Sequence, residues 1–459
     1  MRILTIIALL ALQTPAFAAP SSDIIGDIRS KVPHAIAIPS KKQPVAPVRD
    51  WTLMVWMSAK NNLNHSGMAD LNEMESVGST KKVNVIAQIG YHDTFKEKLS
   101  RTGVRPMDER KAKRSLRYII KDNDPEKFTS PVIEKYLVYD MADSKLLEDF
   151  ITWSKKHYPA KHYMLIVWNH GGGWTGISQD VNWKQLMDIP DMAKAVRKAG
   201  GVDVFATDAC LMQMAEVLYE MRGTAKYIAG SEEVEPGLGY DYGALLTLMN
   251  QEKDLTPEKA AIYAQVAYVG LYYQLEKYLP KDVPAKYAEA VRKAKASGRM
   301  KPLTPAQLTA MAKQVLQTPV TSSVVDMAKF QSRMAPKVRK WIDALVASKD
   351  TKAALTAAAN AHSFYMTPFK DFGDVVLTVT ATTENEALRK AGIELLAAMK
   401  ETIISNMAVA AKDPNSITGI SVHFYPTDEK VLAQYRLLAW NKAMGWERIL
   451  KTMNTAVKK

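Results

Sequence analysis

The chain has 459 residues, 61 Lys and Arg against 48 Asp and Glu, a formal net charge of +13 and a single cysteine. An apolar share of 47% and a charged share of 24% exclude a wholly disordered, collagenous or coiled-coil chain. One cysteine excludes an intrachain disulfide and a cysteine-cluster zinc site, and leaves one thiol to explain.

Arg2, the apolar run Ile3 to Leu12 and the Ala16-Phe17-Ala18 site together predict a secretory signal peptide over 1–18. That run is too short to span a bilayer. The mature protein is therefore expected to be soluble and periplasmic or secreted, with no membrane span. Residues 19–49, with Pro20, Pro33, Pro39, Pro44 and Pro47, predict an extended leader or pro-segment. Ordered structure is expected from Trp51.

Trp51 to Met57 is continuously apolar, which fits a parallel strand covered on both faces. A helix is predicted over Asn62 to Val77 and a second strand over Lys82 to Ile89, making a βαβ unit. The Lys/Arg-rich stretch Lys96 to Lys121 reads as a solvated loop. Zinc-finger, RNP and basic-heptad patterns are absent, so no nucleic-acid partner is expected. Ser115 to Ile120 and Glu134 to Tyr139 suggest a hairpin beside the main sheet. Ser144 to His157 should be helical, with Asp143 as N-cap. Strands follow at Tyr163 to Trp168, Val202 to Ala206 and Tyr227 to Ala229. Leu211 to Arg222 and Asp241 to Asn250 should be helices.

The core is expected over 50–252 and a helix-rich C-terminal domain over 253–459. Helices are predicted in this second half at Pro257 to Tyr278, Ala285 to Ala296, Pro305 to Leu316, Met327 to Ala347, Asn385 to Val409 and Lys442 to Met453. Strands survive at Ser322 to Val325, Val375 to Val379 and Ile417 to Phe424. The fold class is α/β, a mostly parallel sheet flanked by helices. No repeat period is visible.

Ligands of open parallel sheets bind at the carboxyl ends of the strands. One such end runs into Asn169-His170-Gly171-Gly172-Gly173-Trp174, another into Asp208-Ala209-Cys210. His170 can act as a general base. The glycines let backbone N–H groups approach an oxyanion. Cys210, expected at the start of a helix, suits a thiolate nucleophile. Asp208 alone could equally be a helix N-cap. The other histidines (His34, His65, His92, His157, His162, His362 and His423) show no metal-ligand spacing. Met212, Met214 and Met221 read as core packing.

Asn169 to Trp174 (NHGGGW), Asp208 to Val217 (DACLMQMAEV) and Ser231 to Tyr242 (SEEVEPGLGYDY) resemble the clostripain family of cysteine peptidases, of the caspase-like clan. Trp51 to Asn62, Ser323 to Met327, Phe369 to Val375 and Gly419 to Pro426 extend the resemblance over roughly 51–430. It implies a caspase-like sheet and a His170–Cys210 dyad, with Gly171 and the Cys210 N–H as oxyanion donors. Asp208 would stand at the base of the S1 pocket. One of Glu232, Glu233, Glu235 and Asp241 would be a second pocket acid, Asp241 foremost. The implied substrates are proteins or peptides with Arg or Lys at P1, the residue on the acyl side of the scissile bond. Self-cleavage between the two blocks would fall after Lys184. No cofactor is required. Calcium, used by some relatives, stays possible although no D-x-D-x-D-G loop is present. A monomer is expected. Two alternatives remain: an inactive binding protein on the same fold, or a different Cys-dependent amidase or transpeptidase.

Overall fold

The strand predicted from Trp51 is the middle of a long sheet, and its neighbours explain why it is apolar throughout. The computed structural model describes residues 35–38, 45–92, 112–121, 129–180, 185–270, 272–273, 319–411 and 413–457. The expected signal peptide, much of the leader, Lys184 and the helices expected at 285–296 and 305–316 lie outside the described residues.

In chain order the first elements are β1 (Ala35–Ile38), β2 (Arg49–Ser58), α1 (Asn64–Val77), β3 (Val83–His92), β4 (Ala112–Tyr118) and β5 (Val132–Tyr139). Next come α2 (Ser144–His157), β6 (Ala160–Trp168), β7 (Ile177–Asp180), β8 (Gln185–Met187), α3 (Ile189–Lys198) and β9 (Val202–Asp208). α4 (Ala215–Glu220), β10 (Ala225–Gly230) and α5 (Tyr242–Gln251) follow, then a helix α6 over 257–270. The remaining strands are β11 (Val320–Asp326), β12 (Phe369–Asp371), β13 (Ile403–Val409) and β14 (Ser421–His423).

Among the described residues, ten strands form the main sheet in the order β1-β5-β4-β3-β2-β6-β9-β10-β11-β13. The central run β3-β2-β6-β9-β10 is parallel. Both flanks are antiparallel: β3-β4-β5-β1 on one side and β10-β11-β13 on the other. β4 and β5 are the expected hairpin. Part of the expected leader, β1, is the edge strand beside β5.

Side chains of the central strands alternate between two apolar layers, as the period of two requires. Met54, Trp56, Leu165, Val167 and Phe205 face α2, α3, α4 and the C-terminal helices. Leu53, Val55, Met57, Met164, Ile166 and Val204 face α1, α5 and α6. Truncating one such Leu or Met to Ala costs about 2–5 kcal/mol. Asp143 caps α2 as expected, accepting from the Lys145 N–H.

The second half adds β11 and β13 to the same sheet, and the first apolar layer runs without interruption from Met54 to Met453. Four expectations are corrected here. Val375 to Val379 lies in a helix, Phe372–Thr382, rather than a strand: the Asp371 carboxylate accepts from Asp374 N–H at its start, and burial outweighs β-branched propensity. The helix expected to Val409 stops at Thr402, and Ile403–Val409 pairs with β11. The helix expected over Lys442 to Met453 is broken at Gly445, φ 65°, into Ala439–Met444 and Glu447–Val457. The helix expected from Leu211 begins only at Ala215.

Candidate active site

β6 and β9 are parallel neighbours whose last register partners are Trp168 and Asp208. The Asn169 N–H donates to the Asp208 carbonyl at 3.1 Å, so the chains are still together one residue further on. His170 and Cys210 each lie two residues beyond that last pair and leave the same end of the sheet side by side. A Cβ on Gly171 would overlap the Cys210 carbonyl oxygen and sit 2.9 Å from Met212 Sδ. Only glycine permits this approach. Two backbone bonds hold the glycine loop, Gly172 N–H to the Gly176 carbonyl and Ser178 N–H to the His170 carbonyl, at 2.9 and 3.1 Å. They flank Gly171, which bridges to Ile177, and leave its own N–H outside that ladder.

Cys210 is not at a helix N-terminus. It sits in a turn completed by Leu211, a buried non-glycine residue at φ 65°. The turn is tied down by Leu211 N–H to the Glu233 carbonyl at 3.1 Å and Gln213 N–H to the Ser231 carbonyl at 2.9 Å. The expected assistance to a thiolate from a helix end is therefore missing. The Glu235 N–H donates to Cys210 Sγ at 3.2 Å. Burial, with the Glu235 carboxylate adding to it, pushes the thiol up to about 12. Burial lowers His170 to about 4. Both shifts disfavour a resting thiolate–imidazolium pair.

A dyad alone leaves the His170 ring without a partner to orient it. The structure supplies one: His170 Nε2 lies 2.8 Å from Asn62 Oδ1. With Oδ1 as the facing atom, which only accepts, the contact selects the tautomer that carries its proton on Nε2 and leaves Nδ1 basic. Nothing in the sequence marks Asn62, an amide just past the end of the strand beside β6.

Asp208 is buried at the tip of β9. α4 starts seven residues later, so Asp208 is not an N-cap. Its carboxylate accepts from Tyr242 Oη at 3.0 Å and, at 3.4 Å, from Tyr240 N–H. A Cβ on Gly239, φ 55°, would stand 2.7 Å from Asp208 Oδ1. The Glu235 carboxyl meets Asp208. Burial raises Asp208 to about 6, and burial with the Asp208 charge beside it raises Glu235 well above its ordinary range, which favours one proton held between the two. Tyr240, Tyr268 and Tyr272 form the neighbouring aromatic wall, with ring centroids 5.5 and 5.4 Å apart in succession.

The other acids singled out take different positions. Asp241 caps α5, accepting from Ala244 N–H at 2.7 Å. Glu233 accepts from Val234 and Tyr365 N–H groups at 2.7 and 2.9 Å. Glu232 is paired with Asp371. Glu235, not Asp241, is the acid in contact with Asp208. Lys184 lies outside the described residues, and its flanks Asp180 and Gln185 are register partners of the β7–β8 pair. Among the described residues no group of three or more His, Cys, Asp or Glu is arranged to hold a metal ion, and no helix is long and apolar enough to cross a membrane.

A model of the clostripain family matches residues 55–436. The clostripain of Hathewaya histolytica is 28% identical over 239 residues, 45% of this chain and 44% of that protein. The chain thus spans less than half the length of that curated relative. Two solved structures share the fold. One is a secreted C11 cysteine protease from Bacteroides thetaiotaomicron in complex with an irreversible peptide inhibitor, at TM-score 0.61 and 19% identity. The other is an inactive zymogen C11 protease from Parabacteroides distasonis, at TM-score 0.58 and 20% identity. Each alignment covers 87% of this chain and 99% of the other.

Proposed function

This chain belongs to the clostripain family, and from that premise we propose that it is a cysteine endopeptidase cleaving after Arg or Lys. The observation that carries the reading is the contact of the His170 glycine loop with the Cys210 turn, where Gly171 abuts the Cys210 carbonyl.

In the proposed mechanism Cys210 Sγ attacks the carbonyl carbon of the scissile bond as its proton passes to His170 Nδ1. Transfer in step with attack suits a site where a resting thiolate–imidazolium pair is disfavoured. The Gly171 and Cys210 N–H groups hold the oxyanion. Collapse of the adduct breaks the C–N bond, and His170 returns the proton to the leaving amine. Water then attacks the thioester, giving one proton to His170 and releasing the acid and the Cys210 thiol.

Asp208 and Glu235 would receive the P1 cation. A guanidinium or ammonium group entering between them displaces the shared proton and satisfies both carboxylates, and a neutral side chain leaves them uncompensated. We place Asp241 at the rim as a source of negative field rather than a direct contact.

Lys184 fits the same specificity and is the proposed self-cleavage point, in the connection between β7 and β8. Export follows from the Arg2 to Ala18 pattern. The reaction as written uses only side chains and water, so activity should survive a chelator. A loss reversed by added calcium would overturn that part, and size-exclusion chromatography should give a monomer.

The test is active-site titration with electrophiles bearing P1 Arg, Lys or Leu, beside hydrolysis of matching reporter peptides. Labelling of Cys210 by the basic probes, with no turnover by Cys210→Ala, is the expected result. Wild type indistinguishable from Cys210→Ala would favour an inactive binding protein. Labelling without hydrolysis of internal peptide bonds would favour an amidase or transpeptidase. An unchanged fragment pattern in Lys184→Ala would remove the self-cleavage site.

A further inference from the structure

We infer that Asn62 is a positioning residue of this site, holding the His170 imidazole in the tautomer and orientation that present Nδ1 to Cys210. The inference rests on the His170–Cys210 reading above.

Asn62 reaches His170 from the neighbouring strand. β2 pairs with β6 in register, Met57 opposite Trp168, so the chain leaving β2 passes alongside the chain leaving β6. Asn62 Oδ1 then stands 2.8 Å from His170 Nε2. A neutral imidazole carries one N–H, and the acceptor on one nitrogen selects which nitrogen is left basic.

The loop bearing Asn62 is braced against the loop bearing His170. Asn61 Nδ2 donates to the Ser58 and Gln179 carbonyls at 3.1 and 3.0 Å, and Asn61 Oδ1 accepts from Leu63 N–H at 2.9 Å. Asn169, the residue before His170, donates through Nδ2 to the Ser58 carbonyl and accepts from Gln179 N–H at 2.7 Å. Lys60 and Asp180 form an ion pair of 2.9 Å with both side chains fully buried. Four consecutive residues, Ala59 to Asn62, thus contain two anchors and the group that touches His170. A lone surface amide would not need such bracing. A neutral amide also orients His170 without the charge of a carboxylate, which would favour imidazolium before the thiol is ready to give up its proton.

The test uses the full chain. Asn62→Ala should lower kcat about 10- to 100-fold with little change in KM, the cost of a misplaced base. Asn62→Asp should recover part of kcat. In a Cys210→Ala background, NMR titration of His170 should show Asn62→Asp raising its midpoint by roughly one pH unit or more, through the added negative charge, and Asn62→Ala failing to raise it. A merely structural Asn62 would not give that split. The inference is overturned if Asn62→Ala keeps kcat within about twofold, or if Asn62→Asp leaves the His170 midpoint in place. If Cys210→Ala or His170→Ala retains activity, the dyad reading fails instead, and the NMR measurement still judges the Asn62 contact. Should Asn62→Ala fail to fold, the Asn62→Asp titration decides alone.

Discussion

Two sets of buried carboxyls lie about the same sheet, and they are provisioned differently. At the C-terminal tips of β6 and β9, Asp208 takes one good donor, Tyr242 Oη, and one long one, Tyr240 N–H, and faces Glu235. At the junction with the second half, carboxyls receive donors from distant chain. Glu216 accepts from His423 N–H at 2.9 Å and Tyr435 Oη at 2.7 Å. Glu220 accepts from Trp440 N–H at 3.1 Å. Asp371, paired with Glu232, accepts from Asp374 N–H and from both Thr418 donors, at 2.6 to 2.8 Å. A buried charge given enough donors joins parts of the molecule. Asp208 takes both donors from Tyr240 to Tyr242, within the first half of the chain, and in the proposed reading receives the P1 cation.

The largest expected effect breaks this contrast at the site end. Asp208→Asn should lower kcat/KM for Arg and Lys P1 substrates on the order of 10³-fold, since the pocket loses a charged partner where a neutral amide cannot replace it. Turnover of a Leu P1 peptide should change little, and the melting temperature should not fall. Asp371→Asn should do the reverse, lowering the melting temperature and sparing the P1 preference. If Asp208→Asn instead unfolds the protein and keeps its basic preference, the two sets of carboxyls are alike and the contrast fails.

The parts of this arrangement legible in sequence were those with a period or a strong composition. The central strands announce themselves because burial on both faces forces continuous apolar runs, and His170 and Cys210 stand at the ends of two of them. Leu211 to Met214 misled because its apolar spacing imitates a helix, whereas Leu211 at φ 65° turns the chain and delays the helix to Ala215. Ile403 to Val409 continued an Ala/Lys-rich helical pattern, and only pairing with β11 ends the helix. Within Glu232 to Asp241 the choice of Asp241 was open because four acids share one loop, and which of them meets Asp208 depends on the turn at Gly239. Asn62 was invisible for a simpler reason: an asparagine after a strand carries no motif, and its use appears only when β2 and β6 are side by side.

A smaller effect probes the junction. Glu216→Ala removes the acceptor shared by His423 N–H and Tyr435 Oη, both buried, and should cost about 3 kcal/mol of stability by urea unfolding. The penalty includes the space left by the side chain. kcat and KM for an Arg P1 peptide should stay within about twofold of wild type at 25 °C, because Glu216 reaches the His170 loop at one remove, through His423 and Tyr435 packed on Trp174. A large rise in KM with intact stability would show that the junction carboxyls belong to the site after all.

The smallest effect separates the two sets by pH. Burial raises Asp208 and Asp371 to about 6, and Glu216 and Glu233 to about 7. A carboxyl raised in the folded state binds its proton more tightly there than in the unfolded chain, whose carboxyls titrate near 4. Its stabilising contribution is full below that range and is lost as pH rises through the folded value. Melting of the Cys210→Ala protein, which cannot digest itself, should therefore fall between pH 5 and pH 8. Glu216→Gln keeps an acceptor for Tyr435 and removes one titration, so it should reduce the fall by about 1–2 kcal/mol after allowance for relaxation. Glu235→Gln should reduce it as well. The ligand distinguishes them: a saturating guanidinium compound holds Asp208 and Glu235 charged, so it should remove the share of the site and leave that of Glu216. Melting that rises across this window, or a ligand that flattens the Glu216 share, would contradict the assignment of one set to substrate and the other to structure.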